Sequence, residues 1–286
     1  MASNEFSVEI TIHCPVCNTR GQISVEKNII DQSSRGVTAV NVAENLICQH
    51  SFVTYVDKNL NVRDAFVCDF KVEIPKLEGP DLEEYESPTN FDLSIIKINI
   101  MPSVMANILR AILMGAKIVY LSDQEFLDDH FYKFLEYIFG DSFNIDLIFV
   151  PLGGYKKNAK QYRNNVVFKD KKIIRDPNKI FEQSSLKIEL AIVQQFYREY
   201  DEISCLILFK NEINKIERLI HQILKYHESQ KEGQEFKTKE AIEHLNNQYK
   251  TTIPLSYLNF LLDIIESYFE IKLNRATKMA DFMGLI

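Results

Sequence analysis

Apolar and polar residues alternate along much of the first 75 residues, a pattern typical of β-strands with one buried face. This pattern, or a short run of branched residues, is found in FSVEITI, GQISVEK, GVTAVNV and SFVTYVDKNLNVRDAFVCDFKVEI. The last segment predicts two strands around a turn at Asp57, Lys58 and Asn59. The beginning of the chain is therefore predicted to be rich in β-structure.

The composition changes at residues 75–90. The stretch PKLEGPDLEEYESPTN contains three prolines, one glycine and five carboxylates, which is typical of a linker. We therefore predict a β-rich module over residues 1–75, an acidic linker over 76–90, an α/β domain over 91–182 and a helical region over 183–286.

Strand and helix patterns alternate after the linker. FDLSIIKINI, residues 91–100, predicts a strand, and apolar residues at helical spacing over 104–113 predict a helix. Pro102 is suited to the start of this helix and Gly115 to its end. A second strand is predicted at KIVYLSD.

A capping box predicts the next helix, since Ser122 is followed three residues later by Glu125, and Gly140 closes it. NIDLIFVPLGG then predicts a third strand. Three apolar strands separated by two helices form a βαβαβ unit, so we expect a mainly parallel sheet with right-handed crossovers in a three-layer domain.

The rest of the chain changes to helical periods. NVVFKDKKIIRDP first predicts a hairpin that turns at Lys169 and Asp170. Helical patterns then cover 184–200, 203–228, 238–250 and 255–272.

Composition limits the function classes. The 286 residues have 46% hydrophobic content, enough to fill real cores, and a net charge of −7, which argues against extensive binding to nucleic acid. There is no apolar run of eighteen residues and no basic and apolar secretory signal at the start, so we expect a cytoplasmic protein. Five cysteines, two of them in a CxxC pair, fit a reducing compartment.

The cysteines suggest a metal site. Cys14 and Cys17 form a Cys-Pro-x-Cys step, and Cys48 and His50 form a second short pair. Two short pairs of sulfur and nitrogen ligands are the usual way of holding a structural zinc ion, so we predict Zn²⁺ bound by these four residues. Cys68 is a reserve ligand for Cys48 or His50.

Two other interpretations of these residues remain open. Cys48 and Cys68 could be small core residues, with His50 in a surface turn, because free cysteine is commonly buried as a hydrophobe. A redox CxxC normally opens a helix, whereas NTRGQISV after Cys17 indicates a turn and a strand.

The span from CPVCNTRGQISV to NLICQHSFVTYVDKNLNVRDAFVCDF resembles a zinc-ribbon-like module of uncharacterised archaeal proteins. That module has a CPxC pair, a CxH step some thirty residues later and an FVDxNxxVRD-like stretch. The resemblance covers about a quarter of the chain, and it implies a building block attached to other domains, with no activity of its own.

The layout of residues 91–230 is similar to that of DENN-type domains, which regulate small GTPases. The features that carry this resemblance are NILRAILMGAKIVYLSD, a helix, IDLIFVPLGG, a hairpin and a helical tail. It implies that the chain binds a GTPase or a related protein through a surface, and it assigns no exchange-factor residues.

Catalytic motifs are weak. The first predicted strand-to-helix turn, NINIMPSVMA, has no glycine, and VPLGGYKKNAK lacks the GK[ST] ending of a phosphate loop. His130 follows two aspartates, but neighbours in a helix point about 100° apart, so a solvated helix face is the simpler interpretation. A nucleotide-binding enzyme with a Rossmann-like core remains an alternative.

A basic segment offers a binding surface. Residues 156–179 contain nine Lys and Arg residues and two Asp residues in a chain with net charge −7. Such a segment attracts an acidic protein, an anionic membrane surface or a nucleic acid, and we favour a protein partner. A hairpin that is merely solvated by its lysines is one alternative interpretation, and a nucleic-acid-binding zinc ribbon is the other.

The C-terminal helices offer a second surface. Apolar residues nearly encircle the helix at 255–272, and the tail KMADFMGLI adds a short apolar anchor, although packing on the domain itself is the simpler explanation. We therefore predict an α/β protein with a zinc-stabilised N-terminal β module, acting as a non-enzymatic adaptor or regulatory subunit, with small GTPases or trafficking machinery as the implied partners.

Overall fold

A computed structural model describes most of the chain. The described residues are 7–31, 36–43, 46–67, 74–75, 90–140, 142–182, 186–198, 202–230 and 235–274. They contain helices and strands arranged in three sheets, which confirms the mixed α/β class. The reserve ligand Cys68, nearly all of the predicted linker and the apolar C-terminal tail lie outside the described residues.

The N-terminal strands form two antiparallel sheets. The elements are β1 (Ser7–His13), β2 (Arg20–Glu26), a short helix α1 (Lys27–Asp31), β3 (Val37–Val42), β4 (Phe52–Asp57) and β5 (Val62–Val67). β1 pairs with β2, and β4 lies between β3 and β5. The predicted turn after β4 is confirmed, since the Asp57 carboxylate accepts hydrogen bonds from the backbone N–H groups of Asn59 and Asn61.

Strand β4 is buried on both faces and joins two cores. Phe52 and Val56 pack in a small core with Ile12 and Ile30 of the preceding elements. The next residues on the other face, Val53 and Tyr55, belong to the large core of the α/β region. Because successive strand residues point to opposite faces, this one strand connects the N-terminal sheets to the rest of the molecule.

The predicted strand at 91–100 is wrong, because this segment is the helix α2 (Leu93–Asn99). Asp92 is its N-cap, and its carboxylate accepts hydrogen bonds from the N–H groups of Ser94 and Ile95. The side chains of Leu93, Ile96 and Ile100 are buried at helical spacing. The cap and this burial outweigh the β-propensity of the isoleucines.

The next helix, α3 (Pro102–Leu113), begins and ends as predicted. Pro102 is at its first position, and Gly115 just beyond it has a φ of +67°, in the left-handed region that favours glycine. The capping box is wrong, however. The N-cap of α4 (Glu125–Phe139) is Gln124, and the Ser122 hydroxyl accepts a hydrogen bond from the Gln124 N–H in the turn before the helix.

A four-stranded sheet forms the centre of the α/β region. Its strands and the helix between them are β6 (Ile118–Leu121), β7 (Leu147–Val150), α5 (Leu152–Asn158), β8 (Val166–Lys169) and β9 (Lys172–Arg175). The order is β7-β6-β8-β9, with β7 and β8 parallel to β6 and β9 antiparallel to β8. The third parallel strand is thus the first arm of the predicted hairpin, and the expected βαβαβ unit beginning at residue 91 is wrong.

The C-terminal helices follow the predicted segments. They are α6 (Lys187–Arg198), α7 (Glu202–Ser229), α8 (Thr238–Tyr249) and α9 (Leu255–Tyr268). The apolar residues around α9 are buried in the large core, which supports packing on the domain itself. A buried ion pair also joins this region to α3, with Arg110 Nη1 2.6 Å from Glu189 Oε1.

A membrane-spanning helix is not found among the described residues. Each helix taken singly is too short or too polar to cross a bilayer. The pair α2 and α3 reaches the required length and apolar content together, but the two helices meet at a bend of 104°.

One carboxylate ties the N-terminal sheet to α3. Asp64 of β5 is buried, and its Oδ2 accepts hydrogen bonds from the N–H (3.1 Å) and hydroxyl (2.6 Å) of Ser103. Met101, the N-cap of α3, provides no side-chain cap. Asp64 therefore supplies from another element the negative charge that a helix N-terminus favours.

Candidate metal centre

The turn between β1 and β2 carries the first ligand pair. The Cys14 N–H donates to the Thr19 carbonyl and the Asn18 N–H donates to the Cys14 carbonyl, which closes the turn. Asn18 has a φ of 56°, a left-handed conformation that asparagine tolerates better than most residues. The Val16 N–H lies 3.4 Å from Cys14 Sγ and donates to it. The turn thus holds the sulfurs of Cys14 and Cys17 toward one point.

The segment between β3 and β4 carries the second pair. Cys48 Sγ lies 3.6 Å from His50 Nδ1. Ile47 of this segment packs directly on β2 at Gly21, where an added Cβ would be 2.3 Å from Ile47 Cγ2. The absence of a side chain at Gly21 therefore lets Cys48 and His50 approach the first pair.

The four predicted ligands come together. One donor atom from each of Cys14, Cys17, Cys48 and His50 lies within 4.8 Å of all the others. Zn–S bonds of about 2.3 Å and Zn–N bonds of about 2.0 Å in a tetrahedron place ligand atoms about 3.5–3.8 Å apart. The donor set and its spacing fit a metal ion. Cys48 also packs against the small core, as the alternative interpretation of this residue expects.

Burial differs among the four side chains. Cys14 is fully buried in the small core, Cys48 and His50 are half-buried, and Cys17 is exposed. The site therefore lies at the edge of the small core, with one side toward solvent.

The thiols differ in their affinity for protons. Hydrogen bonds from the side chain and the backbone of Thr19 lower the pKa of Cys17 to about 6, with smaller contributions from Cys14 and Cys48. Loss of solvation raises the pKa of Cys48 to about 11, and the neighbouring Cys14 and Cys17 add to this effect. Since three thiolates repel one another at this distance, a bound cation is what allows them all to be deprotonated.

Two supporting residues were not identified from the sequence. Thr19 binds Cys17, with Thr19 Oγ1 3.1 Å from the sulfur, and Gly21 makes room for Ile47. Thr19 lies only two positions after Cys17, so its contact is local in sequence. Gly21 carried no local signal, because its role depends on a residue 26 positions away.

The other candidate functional residues lie outside the metal centre. His130 Nδ1 accepts a hydrogen bond from the Asp92 N–H at 3.0 Å, so it joins α4 to the start of α2. The two glycines of VPLGGYKKNAK lie inside α5, so the strand predicted at NIDLIFVPLGG ends before them, at Val150. Both residues are at solvent-accessible positions within that helix.

The basic segment surrounds one face of the four-stranded sheet. On this face Val119, Val150 and Val167 form a second small core with Tyr155 of α5. Five exposed cations lie in or beside the elements that form this core: Lys156 and Lys157 of α5, Lys160 and Arg163 in the segment after it, and Lys172 of β9. Lys172 is directly opposite Lys169 and so shares the face of Val167. We call these five residues the basic face.

Comparison of the chain with protein-family models, with curated proteins and with solved structures gives no match.

Proposed function

We propose that this chain is a non-enzymatic interaction or regulatory protein, in which a zinc-bound N-terminal module is a structural accessory and the basic face binds an acidic protein partner. The observation that carries the proposal is the basic face itself. Across the part of the chain that the structure describes, its lysines Lys156, Lys157, Lys160 and Lys172 make no ion pair.

Zinc in this proposal is structural. Cys14, Cys17, Cys48 and His50 would occupy all four tetrahedral positions, and a closed set of four protein ligands is typical of structural sites, whereas catalytic sites retain an open position. When bound, zinc supplies the cross-link between the β1–β2 turn and the segment before β4. This set also fits the zinc-ribbon-like module that the sequence resembles.

The layout of the α/β region supports the same proposal. α3 and α4 pack against the face of the sheet that carries Ile118 and Tyr120, and α5 packs against the face that carries Val119. We therefore propose a three-layer domain, as expected from the sequence. Its basic face is next to the exposed side chain of Ile148, and mixed apolar and cationic surfaces are suited to protein contacts.

The partner class that we propose is a small GTPase, because the DENN-like layout implies it. The charge supports an acidic partner more generally, since a local excess of cations in a chain with net charge −7 steers complementary surfaces together. We prefer a protein partner to a membrane or a nucleic acid because the DENN-like layout implies a protein.

The test is a charge-reversal experiment. The variant Lys156→Glu, Lys157→Glu, Lys160→Glu is compared with wild type by biolayer interferometry against small GTPases loaded with GDP or with a non-hydrolysable GTP analogue. Lysate from source cells, analysed by mass spectrometry, extends the panel of partners. We expect the variant to bind at least about tenfold more weakly, because several charge-assisted contacts are reversed.

The control carries the same change of net charge at three exposed lysines elsewhere, Lys58→Glu, Lys225→Glu and Lys239→Glu. It is expected to bind as wild type does. Equal loss in both variants, or binding of wild type to anionic vesicles or nucleic acid but to no protein, contradicts the proposal.

A further inference from the structure

A cleft of about 700 Å³ lies where the N-terminal sheet meets the α/β region. It opens beyond the carboxyl ends of β6 and β8, at Leu121, Ser122, Lys169 and Asp170. From β6 the chain goes to β7 on one side, and β8 lies on the other side. In open α/β sheets ligands bind at this place, beyond the carboxyl ends of strands that diverge to opposite sides.

Cations from two regions line the cleft. They are Arg63 of β5, Lys169 at the end of β8 and Lys171 in the β8–β9 turn, against the acids Asp123 and Asp170. Lys171 Nζ is 3.7 Å from Asp64 Oδ1, yet 52% of its side chain stays exposed. Within the described ranges, Lys169 makes no ion pair. Arg63 Nη1 is 3.6 Å from Asp57 Oδ2, and 44% of its side chain is exposed. Lys169 is therefore the cation in this lining that offers its charge to an anion, and the exposed parts of Arg63 and Lys171 can add to that attraction.

Apolar side chains also line the cleft. Met101 and Val104 of the α2–α3 junction and Leu127 of α4 line it, and all three belong to the large core. A ligand that fills the cleft therefore needs an apolar or aromatic part as well as a charge.

Tyr120 of β6 also lines the cleft. Across the described residues its hydroxyl has no hydrogen-bond partner. Loss of solvation, with smaller effects of Asp170 and Asp128, raises the pKa of Tyr120 to about 12. The phenol therefore stays protonated at neutral pH and keeps a proton to donate.

We propose that this cleft binds a nucleoside phosphate, with the phosphate against Arg63, Lys169 and Lys171 and the nucleoside between Tyr120 and the apolar side chains. The volume of the cleft argues against inorganic phosphate as the whole ligand, because it lies in the range of about 300–1,000 Å³ that accommodates drug-sized ligands. This site goes beyond the proposed function and does not depend on it, since its residues are not those of the basic face.

The test uses isothermal titration calorimetry on the purified full chain. The probes are ATP, ADP and GTP, with and without Mg²⁺, together with adenosine, guanosine and inorganic phosphate. We expect one nucleotide to bind saturably with a dissociation constant of about 10–100 µM, and the nucleosides and inorganic phosphate to bind at least about tenfold more weakly.

Variants locate the site. Lys169→Gln is expected to weaken nucleotide binding about tenfold or more, and Tyr120→Phe by a smaller factor of about three to ten. The matched control is Lys117→Gln, at the amino end of the same sheet, where the side chain is 67% exposed. It should bind as wild type does.

No saturable nucleotide binding overturns the proposal. So does a loss in Lys117→Gln as large as that in Lys169→Gln, which indicates unspecific attraction, and so does equal binding of inorganic phosphate and nucleotide. Because no protein partner is present, failure here is distinguishable from failure of the interaction at the basic face.

Discussion

The N-terminal β module and the α/β and helical regions are stabilised in different ways. In the described residues the small core of the module contains nine buried apolar side chains, and one of them is Cys14. The large core contains more than fifty, from β4 through α9. Burial of apolar area scales with the number of such side chains, so we expect the large core to be stable without a cross-link and the small one to depend on a bound metal ion.

We therefore expect the metal centre to stabilise the N-terminal module and the large core to stabilise the rest of the chain. The module resembles small domains that rely on a metal because their own core is insufficient. The rest of the chain has a large apolar core, in which a few buried polar groups make specific contacts. Perturbations of the two regions should therefore affect different measurements.

The largest expected effect is loss of the metal. Cys14→Ser, or removal of the ion with a strong chelator, should unfold the module, since zinc contributes an apparent 10–16 kcal/mol, approximately, to small zinc domains. Hydrogen exchange measured by mass spectrometry should show lost protection in β1, β2 and β3, whose buried residues belong to the small core. Protection should be retained in α2 to α9 and largely in β4 and β5, which also contribute Val53, Tyr55 and Phe66 to the large core. Elemental analysis of wild type should show about one zinc per chain.

The control for this change is Cys205→Ser, which alters a buried cysteine of the large core. Its zinc content should be that of wild type. A wild-type protein free of transition metal, with a fold that a chelator leaves unchanged, contradicts the proposed centre.

The second-largest expected effect comes from breaking the buried ion pair between Arg110 and Glu189 in the large core. Glu189→Gln leaves Arg110 buried without its charged partner, and breaking a buried pair in this way costs about 3–5 kcal/mol. The denaturation midpoint of the α/β and helical regions should fall while the zinc content stays the same.

The double variant Arg110→Met, Glu189→Leu tests the cause. Both charges are then absent, so most of the stability should return. A double variant as unstable as Glu189→Gln shows that shape, and not the unpaired charge, is responsible.

The sequence predicted the features that depend on neighbouring residues. The two ligand pairs, the β8–β9 hairpin and the C-terminal helices all follow from spacing within a few residues. The helix α2 was missed although Asp92 and the spacing of Leu93, Ile96 and Ile100 are local signals, because the β-propensity of its isoleucines was given more weight. Part of its stabilisation is distant in sequence, since Lys97 is buried with its Nζ 2.9 Å from the Phe196 carbonyl and 4.4 Å from the centre of the Phe196 ring. Isoleucine-rich sequence at this place indicated a strand.

The cleft could not be predicted at all. Its lining comes from five separate parts of the chain, near residues 61–63, 99–104, 120–127, 152 and 169–171. The close approach of Gly21 and Ile47 is likewise a product of folding. No local pattern contains such information.

The third, smaller effect is that of replacing a glycine by alanine, at Gly21 in the N-terminal module and at Gly153 in the α/β region. Gly21→Ala places a Cβ 2.3 Å from Ile47 Cγ2, so the segment with Cys48 and His50 must move, at a cost of about 1–3 kcal/mol. Zinc should be lost at lower chelator concentrations than in wild type. A competition titration with a chromogenic chelator measures this shift.

The matched control is Gly153→Ala in α5, where an added Cβ meets no atom within 4 Å. Alanine favours a helix over glycine by about 0.5–1 kcal/mol, so this variant should be neutral or slightly stabilised. Unchanged zinc retention in Gly21→Ala indicates that Ile47 moves freely and that its contact does not position the ligands.

The smallest effect lies at the contact between the two regions. Asp64→Ala removes the acceptor of both Ser103 hydrogen bonds at the start of α3, and loss of such a cap costs about 1–2 kcal/mol. Because β5 then holds α3 less firmly, the two regions should unfold in more widely separated steps in a chemical denaturation followed by hydrogen exchange. Lys171→Met, which removes a half-exposed cation near the same carboxylate, should cost only about 0–1 kcal/mol. Equal effects of the two changes indicate that the ion pair, and not the helix cap, joins the regions.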